Sequence, residues 1–275
     1  MIHIKDKQLL HTGFIVYTTF MQITFLGTGT SSGIPMVACD CAVCASANPK
    51  NTRLRSSVLL EKDGQSLLID ASADFRAQAL RHRIRDLTAV LITHIHADHI
   101  FGLDEMRRYN QIYRKKIPVF LSAVFDREIR EVMRYLYETP KQIGGGVSAL
   151  DNRVLKPLEP LNIAGLTVTA LPLKHGLLEI FGYRADNFAY LTDCSFIPEE
   201  TFTALKGVDA VALDALRATP HPTHFSLAEA VAAAKRIGAR ETYFTHIAHN
   251  LEHEATNQTL PPHMQLAYDG LIINV

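Results

Sequence analysis

The chain has no net charge, with 28 lysines and arginines against 28 aspartates and glutamates. Bulk charge therefore gives it no general hold on nucleic acid or a membrane surface, and only local basic patches could supply one. No run of eighteen apolar residues occurs, which excludes an ordinary membrane-spanning helix. The first twenty residues contain a short mixed run and no small-residue cleavage site, so no secretory signal is expected. Internal repeats, low-complexity segments and linkers are also missing. Cysteine is scarce: there are four, and three of them crowd into Cys39-Asp40-Cys41-Ala42-Val43-Cys44. That spacing is too tight for a disulfide framework and suits a metal. Thiolate ligation in turn points to a reducing compartment, and so to the cytoplasm.

The 275 residues are 47% hydrophobic and 20% charged, the balance of a soluble globular protein long enough to bury a sizeable core. A second methionine, Met21, opens an apolar segment, so residues 1–20 are read as an extension of unknown role and residues 21–275 as one domain. Strands are expected over Met21–Leu26, Ser57–Glu61, Ser66–Asp70, Leu87–Ile92, Ile117–Leu121, Leu166–Leu171, Phe188–Leu191, Ala210–Leu213 and Thr242–Phe244. Asp63-Gly64 is a hairpin turn, and Gly144-Gly145-Gly146 marks a loop. Helical spacing runs through Asp74–Arg83 and Val124–Tyr137. Ser226–Ile237 carries a full set of helix signals, with Ser226 as N-cap, Glu229 three residues on and Gly238 as the stop. Strands come first, then helices and strands alternate, which implies an α/β protein with two central sheets and helices outside.

The thirteen histidines cluster. Four donors fall in six residues directly after an apolar strand: His94-x-His96-x-Asp98-His99. Two histidines one residue apart can face one cavity from an extended turn, while Asp98 and His99 reach a second ion nearby. Imidazole suits zinc, manganese and iron, and carboxylate oxygen suits harder ions. Spacing does not choose among these metals.

This stretch resembles the signature of the metallo-β-lactamase superfamily, and the resemblance extends from Met21 to the end of the chain. Asp70 in Leu67-Leu68-Ile69-Asp70, His175 in Pro172-Leu173-Lys174-His175-Gly176, Asp193 in Tyr190-Leu191-Thr192-Asp193-Cys194 and His246 in Tyr243-Phe244-Thr245-His246 match the later family motifs in order. The resemblance implies a single-domain, four-layer αββα sandwich with two catalytic divalent ions, zinc or manganese. One ion would sit on His94, His96, His175 and Asp193, the other on Asp98, His99, Asp193 and His246, with Asp193 bridging. A water held between two cations becomes a hydroxide nucleophile near neutral pH, and Asp98 would orient it. The chain has His-x-His-x-Asp-His in place of the His-x-Glu-x-Asp of oxygen-reducing diiron relatives, which favours hydrolysis over redox chemistry. Asp70 is either a partner of a ligand or backbone group or a plain strand-end turn residue.

The cysteines do not reveal their fourth partner by spacing. A narrower resemblance, to the phosphoribosyl cyclic phosphodiesterase (PhnP-like) branch, implies a structural zinc on Cys39, Cys41, Cys44 and His249. In that branch a histidine matched here by His224, in His221-Pro222-Thr223-His224-Phe225-Ser226, contacts the substrate phosphate and would donate a proton to the leaving oxygen. His221 has no matching role, and Cys194 is expected to be a small buried residue. Related transfer-RNA processing nucleases carry a long arm between the third and fourth motifs. Here only seventeen residues separate His175 from Asp193. The expected activity is thus hydrolysis of a small cyclic or linear phosphodiester of ribose phosphate or nucleotide type, with no structured tRNA or membrane partner. The alternatives are a thioester or lactone hydrolase, a nucleic-acid or nucleotide-processing nuclease, or a nucleotide-binding scaffold with little activity. Arg107, Arg108, Arg114, Lys115 and Lys116 are read as a solvated helix face. A homodimer is the default assembly.

Overall fold

The computed structural model describes residues 7–9, 15–17, 20–138 and 146–275. Most of the expected N-terminal extension, with Gly144 and Gly145 of the glycine loop, lies outside them. Two short strands from the first twenty residues, β1 (Lys7–Leu9) and β2 (Ile15–Tyr17), pair antiparallel.

Two seven-stranded sheets make up the body. The first holds β3 (Gln22–Gly27), β4 (Ser57–Lys62), β5 (Gln65–Ile69), β6 (Ala89–Leu91), β7 (Ile117–Leu121) and β8 (Leu150–Val154). The second holds β9 (Pro160–Ile163), β10 (Leu166–His175), β11 (Leu178–Ala185), β12 (Phe188–Leu191), β13 (Ala210–Asp214), β14 (Glu241–Thr245) and β15 (Met264–Leu266). The final strand, β16 (Ile272–Asn274), returns to the first sheet beside β3. Each sheet is mixed: β5–β8 run parallel in the first and β12–β15 parallel in the second, beside antiparallel neighbours.

Alternate residues of each central strand serve two different cores, as the two-residue period of a strand requires. Val58, Leu60, Leu67, Ile69, Phe188, Tyr190, Ala210 and Ala212 fill the space between the sheets. Leu59, Leu68, Ala189, Leu191, Val211 and Leu213 turn the other way, under the helices. The helices α1 (Phe75–His82), α2 (Ala97–Ile100), α3 (Met106–Tyr113), α4 (Ala123–Val132), α5 (Arg134–Tyr137), α6 (Glu199–Ala204), α7 (Leu227–Ile237) and α8 (His253–Asn257) complete the αββα sandwich. Among the described residues no helix is long and apolar enough to cross a membrane.

Local sequence explains most boundaries. Asp63 and Gly64, both at positive φ, close the β4–β5 hairpin as a two-residue turn. Helix α7 has the reciprocal Ser226–Glu229 capping box and ends at Gly238 in the left-handed region. Two expectations need correction. The helix expected over 124–137 is broken at Met133, whose backbone (φ −109°, ψ 41°) leaves the helical region; the break lets both Met133 and Leu136 reach the core. The strand expected to stop at Leu171 runs on to His175, because it pairs with β11 along its whole second half.

Candidate metal centre

The carboxyl ends of five strands open at one rim of the sandwich. Strand β5 leads into Asp70, β6 into His94, β12 into Asp193 and β14 into His246, while β13 ends on Asp214. Asp70, Asp193 and His246 take positive φ values of 61°, 55° and 59°. Non-glycine residues pay for that conformation. Here it turns each side chain sharply off the strand toward a common point. Strand β10 delivers His175 to the same rim, and α2 carries Asp98 and His99 in its single turn.

Two donor groups result. His94, His96 and His175 form one, and Asp98, His99, Asp193 and His246 the other, with the donor atoms of each within 4.8 Å of one another. Asp193 lies between them. Its Oδ2 is 3.9 Å from His94 Nε2 and 3.1 Å from His246 Nε2, and its Oδ1 is 3.4 Å from His99 Nε2. His96 is the exposed member and stands at the mouth; the rest are buried.

The far side of three of the rings is tied elsewhere, which fixes the nitrogen each offers to the centre. His94 Nδ1 meets Thr93 Oγ1 at 3.0 Å, His175 Nδ1 donates to the Thr223 carbonyl at 2.8 Å, and His99 Nδ1 donates to Asp70 Oδ2 at 2.7 Å. Asp70 also accepts from the Thr93 amide and hydroxyl, both at 2.9 Å. It is therefore the partner of a donor histidine and more than a turn residue. Burial pushes its carboxyl up, and the His99 ring and the Thr93 donors pull against that push. Burial would also raise Asp98 and Asp193. The imidazoles facing them, His99 for Asp98 and His246 with His99 for Asp193, hold both below the usual carboxylate range. His94 goes the other way: burial and the neighbouring His99 pull it well below the usual imidazole range.

These residues fit divalent cations. His99 Nε2 and His246 Nε2 are buried without a hydrogen-bond partner among the described residues, although carboxylate oxygens lie close. Buried polar atoms are rarely left so, and a cation between nitrogen and oxygen donors would satisfy them. The mixed donor set accepts zinc, manganese or iron.

The second cluster is separate. His249 Nδ1 lies 3.2 Å from Cys39 Sγ, 3.4 Å from Cys41 Sγ and 3.8 Å from Cys44 Sγ. Three sulfurs and one imidazole make a donor set suited to tetrahedral zinc. The Cys44 amide, aimed at Cys41 Sγ from 3.5 Å, pulls the Cys41 thiol down to about 6, while burial raises Cys44.

His224 is buried beside the centre. Its ring stacks on His246 at 4.8 Å and meets His175 edge-on at 4.6 Å. Burial, and then the adjacent His246, pull it down to about 4. Its Nδ1 is 3.2 Å from Asp214 Oδ2, which also accepts from the Phe225 amide. Asp214 is fully buried, and its Oδ1 lies 3.7 Å from His246 Nδ1. Sequence reasoning missed this residue. The available signal was its place at the end of an apolar strand, which it shares with Asp70 and Asp193. His221 hydrogen-bonds to Thr223 and makes a tilted ring contact with His224 at 5.2 Å. Cys194 is a buried small residue, as expected. The basic cluster lies on the surface, where Arg107 pairs with Asp104 and Lys115 with Asp86.

Known proteins share this fold. The beta-lactamase superfamily domain matches residues 65–247. A solved diphosphatase of the PhnP family is 41% identical, with a TM-score of 0.86 over 93% of this chain and 97% of that one. An octanoyltransferase of Porphyromonas gingivalis is 37% identical over 91% of this chain, but the chain spans only about half (51%) of that relative's length. Human tRNase Z, short form, has the same fold, at 20% identity and a TM-score of 0.66 over 92% of this chain and 98% of that one. The chain belongs to the beta-lactamase superfamily, in its PhnP-like branch.

Proposed function

We propose that this chain hydrolyses a small cyclic or linear phosphodiester, of ribose phosphate or nucleotide type. The observation that carries this reading is the Asp214–His224 pair set against the two donor groups. His94, His96, His175 and Asp193 would hold one divalent ion, and Asp98, His99, Asp193 and His246 the other, with Asp193 shared. Cys39, Cys41, Cys44 and His249 would hold a zinc ion away from the chemistry. Bound ions would supply Lewis acidity, lowering the pKa of a water and offsetting charge on a phosphoryl oxygen.

The chain's own groups then divide the remaining work. Asp98 accepts a hydrogen bond from the attacking water and orients it. With Nδ1 on Asp214, His224 has only Nε2 left for substrate. Burial keeps the resting His224 ring neutral. A proton taken up on Nε2 as the substrate's negative charge arrives passes to the leaving oxygen as the P–O bond breaks, while Asp214 holds Nδ1. Twelve of the seventeen residues between His175 and Asp193 lie in β11 and β12, which supports a small substrate over structured tRNA. The 41%-identical diphosphatase also supports phosphoryl chemistry.

One observation favours a second reading. The Porphyromonas gingivalis relative is named for acyl transfer, and the same donors could act on a thioester. Turnover of bis-p-nitrophenyl phosphate and of an acyl thioester, by metal-loaded wild type and Asp193→Ala, separates the two. Phosphodiester turnover lost in the variant is the expected result. Thioester turnover alone would overturn the proposal.

A further inference from the structure

Helices α1 and α3 flank a groove of about 360 Å³ that none of the metal donors lines. Phe75, Ala79, Ile84 and Tyr109 contribute apolar surface to it. Leu80 and Ile112 stand along it at 64% and 50% exposure, a large apolar presentation for two surface residues. The walls are fixed relative to each other. Tyr109 Oη donates to the Ile84 carbonyl at 3.1 Å and Tyr113 Oη to the Arg85 carbonyl at 2.8 Å.

The rim is basic. Arg76, Arg83, Arg85 and Arg108 line the groove against one acid, Glu105. Four positive charges and one negative leave three positive, in a chain whose formal net charge is zero. Nearby Arg107 and Lys115 have carboxylate partners in Asp104 and Asp86. Among the described residues Arg76, Arg83 and Arg85 have no ion pair, and Arg108 has only a 3.4 Å hydrogen bond to Gln111. Unpaired guanidinium groups around an apolar strip match a surface with carboxylates beside an apolar face. Each wall helix has eight residues, or about 12 Å of length. That suits two turns of a third helix laid along the groove.

We propose that this groove docks an acidic amphipathic helix of a partner protein. Its apolar residues cover Leu80, Ile84 and Ile112, and its carboxylates meet Arg76, Arg83, Arg85 and Arg108. Residues of the metal centre take no part, so docking and hydrolysis are separable.

The test uses the full chain and a fluorescein-labelled synthetic helix of about 15 residues, with leucines on one face and glutamates beside them. The control peptide replaces each glutamate with lysine. Fluorescence anisotropy should show binding of the acidic peptide alone, weakening as salt rises. The variants Arg83→Glu/Arg108→Glu and Leu80→Ser should each weaken it by about tenfold or more. All these side chains are exposed, so thermal midpoint and hydrolytic turnover should match wild type. Equal affinity of variants and wild type, equal binding of the lysine peptide, or no binding of the acidic peptide would overturn the proposal. So would binding of dodecyl phosphate micelles or phosphatidylglycerol vesicles in place of the peptide, which would assign the groove to a lipid-like anion.

Discussion

Asp70 offers the sharpest test of how the centre is held. It is fully buried and accepts from the Thr93 amide, the Thr93 hydroxyl and His99 Nδ1. Replacing it with alanine strands the Thr93 amide and the His99 Nδ1–H. The Thr93 hydroxyl loses its acceptor as well, since His94 Nδ1, 3.0 Å away, carries the proton that leaves Nε2 free for the centre. Three stranded buried donors at about 1–3 kcal/mol each cost about 3–9 kcal/mol, a large share of an ordinary domain's stability of roughly 5–15 kcal/mol. Asp70→Asn is milder for the fold, since the amide oxygen can still accept from Thr93. Its NH₂ group, however, cannot accept from His99 Nδ1, so the ring is driven to protonate Nε2, the nitrogen turned to the centre. The expected result is a 10–100-fold loss of metal affinity, on the scale seen for partners of ligating histidines, at a cost in apo stability well below that of alanine. Chelator competition measures the first, and denaturant unfolding of stripped protein the second. An Asp70→Asn protein that binds metal like wild type would refute the claim that Asp70 fixes the tautomer of His99.

Other outcomes follow from the same geometry. Wild type should hold three metal ions per chain by mass spectrometry, and Cys41→Ser/Cys44→Ser two, with hydrolysis partly retained; equal metal content in both proteins would remove the zinc site. Asp214→Asn and His224→Ala should slow cleavage of a poor alkoxide leaving group by about 10²–10⁴-fold and p-nitrophenolate release far less; equal losses on both would exclude proton donation. At Gly102 an added Cβ would stand 2.2 Å from the Ser72 carbonyl and 2.6 Å from Phe75 Cβ. Gly102→Ala should therefore push α2 off the Asp70 turn, lowering the thermal midpoint and metal affinity together. His253 is buried, and burial and then the Lys50 charge pull it down to about 4. The unfolded chain takes up its proton first, near 6.5. Its stability contribution should be fully present above that pH and lost as pH falls toward 4. His253→Gln should flatten that limb of a stability–pH curve.

Much of the fold was legible because its determinants are local. Strand β7 and strand β12 lie where their apolar runs end, and α7 starts and stops on its own capping residues. Strands β8, β9, β11, β15 and β16 were not expected. Their sequences are half polar or only three to five residues long, apart from β11, where a glycine and two charges interrupt the pattern. Such segments become strands because a neighbour offers backbone partners, and no local window contains that neighbour.

The same division runs through the candidate site. By itself the sequence determined the donor types and their order after strands, since each motif is a few consecutive residues. Tertiary structure alone brings His249 to cysteines more than two hundred positions away. It also sets Asp214 behind two histidines from later segments and decides that Asp70 serves His99. Those pairings depend on which strand ends share a rim, and that follows from sheet order and register rather than from any stretch of chain short enough to carry its own pattern.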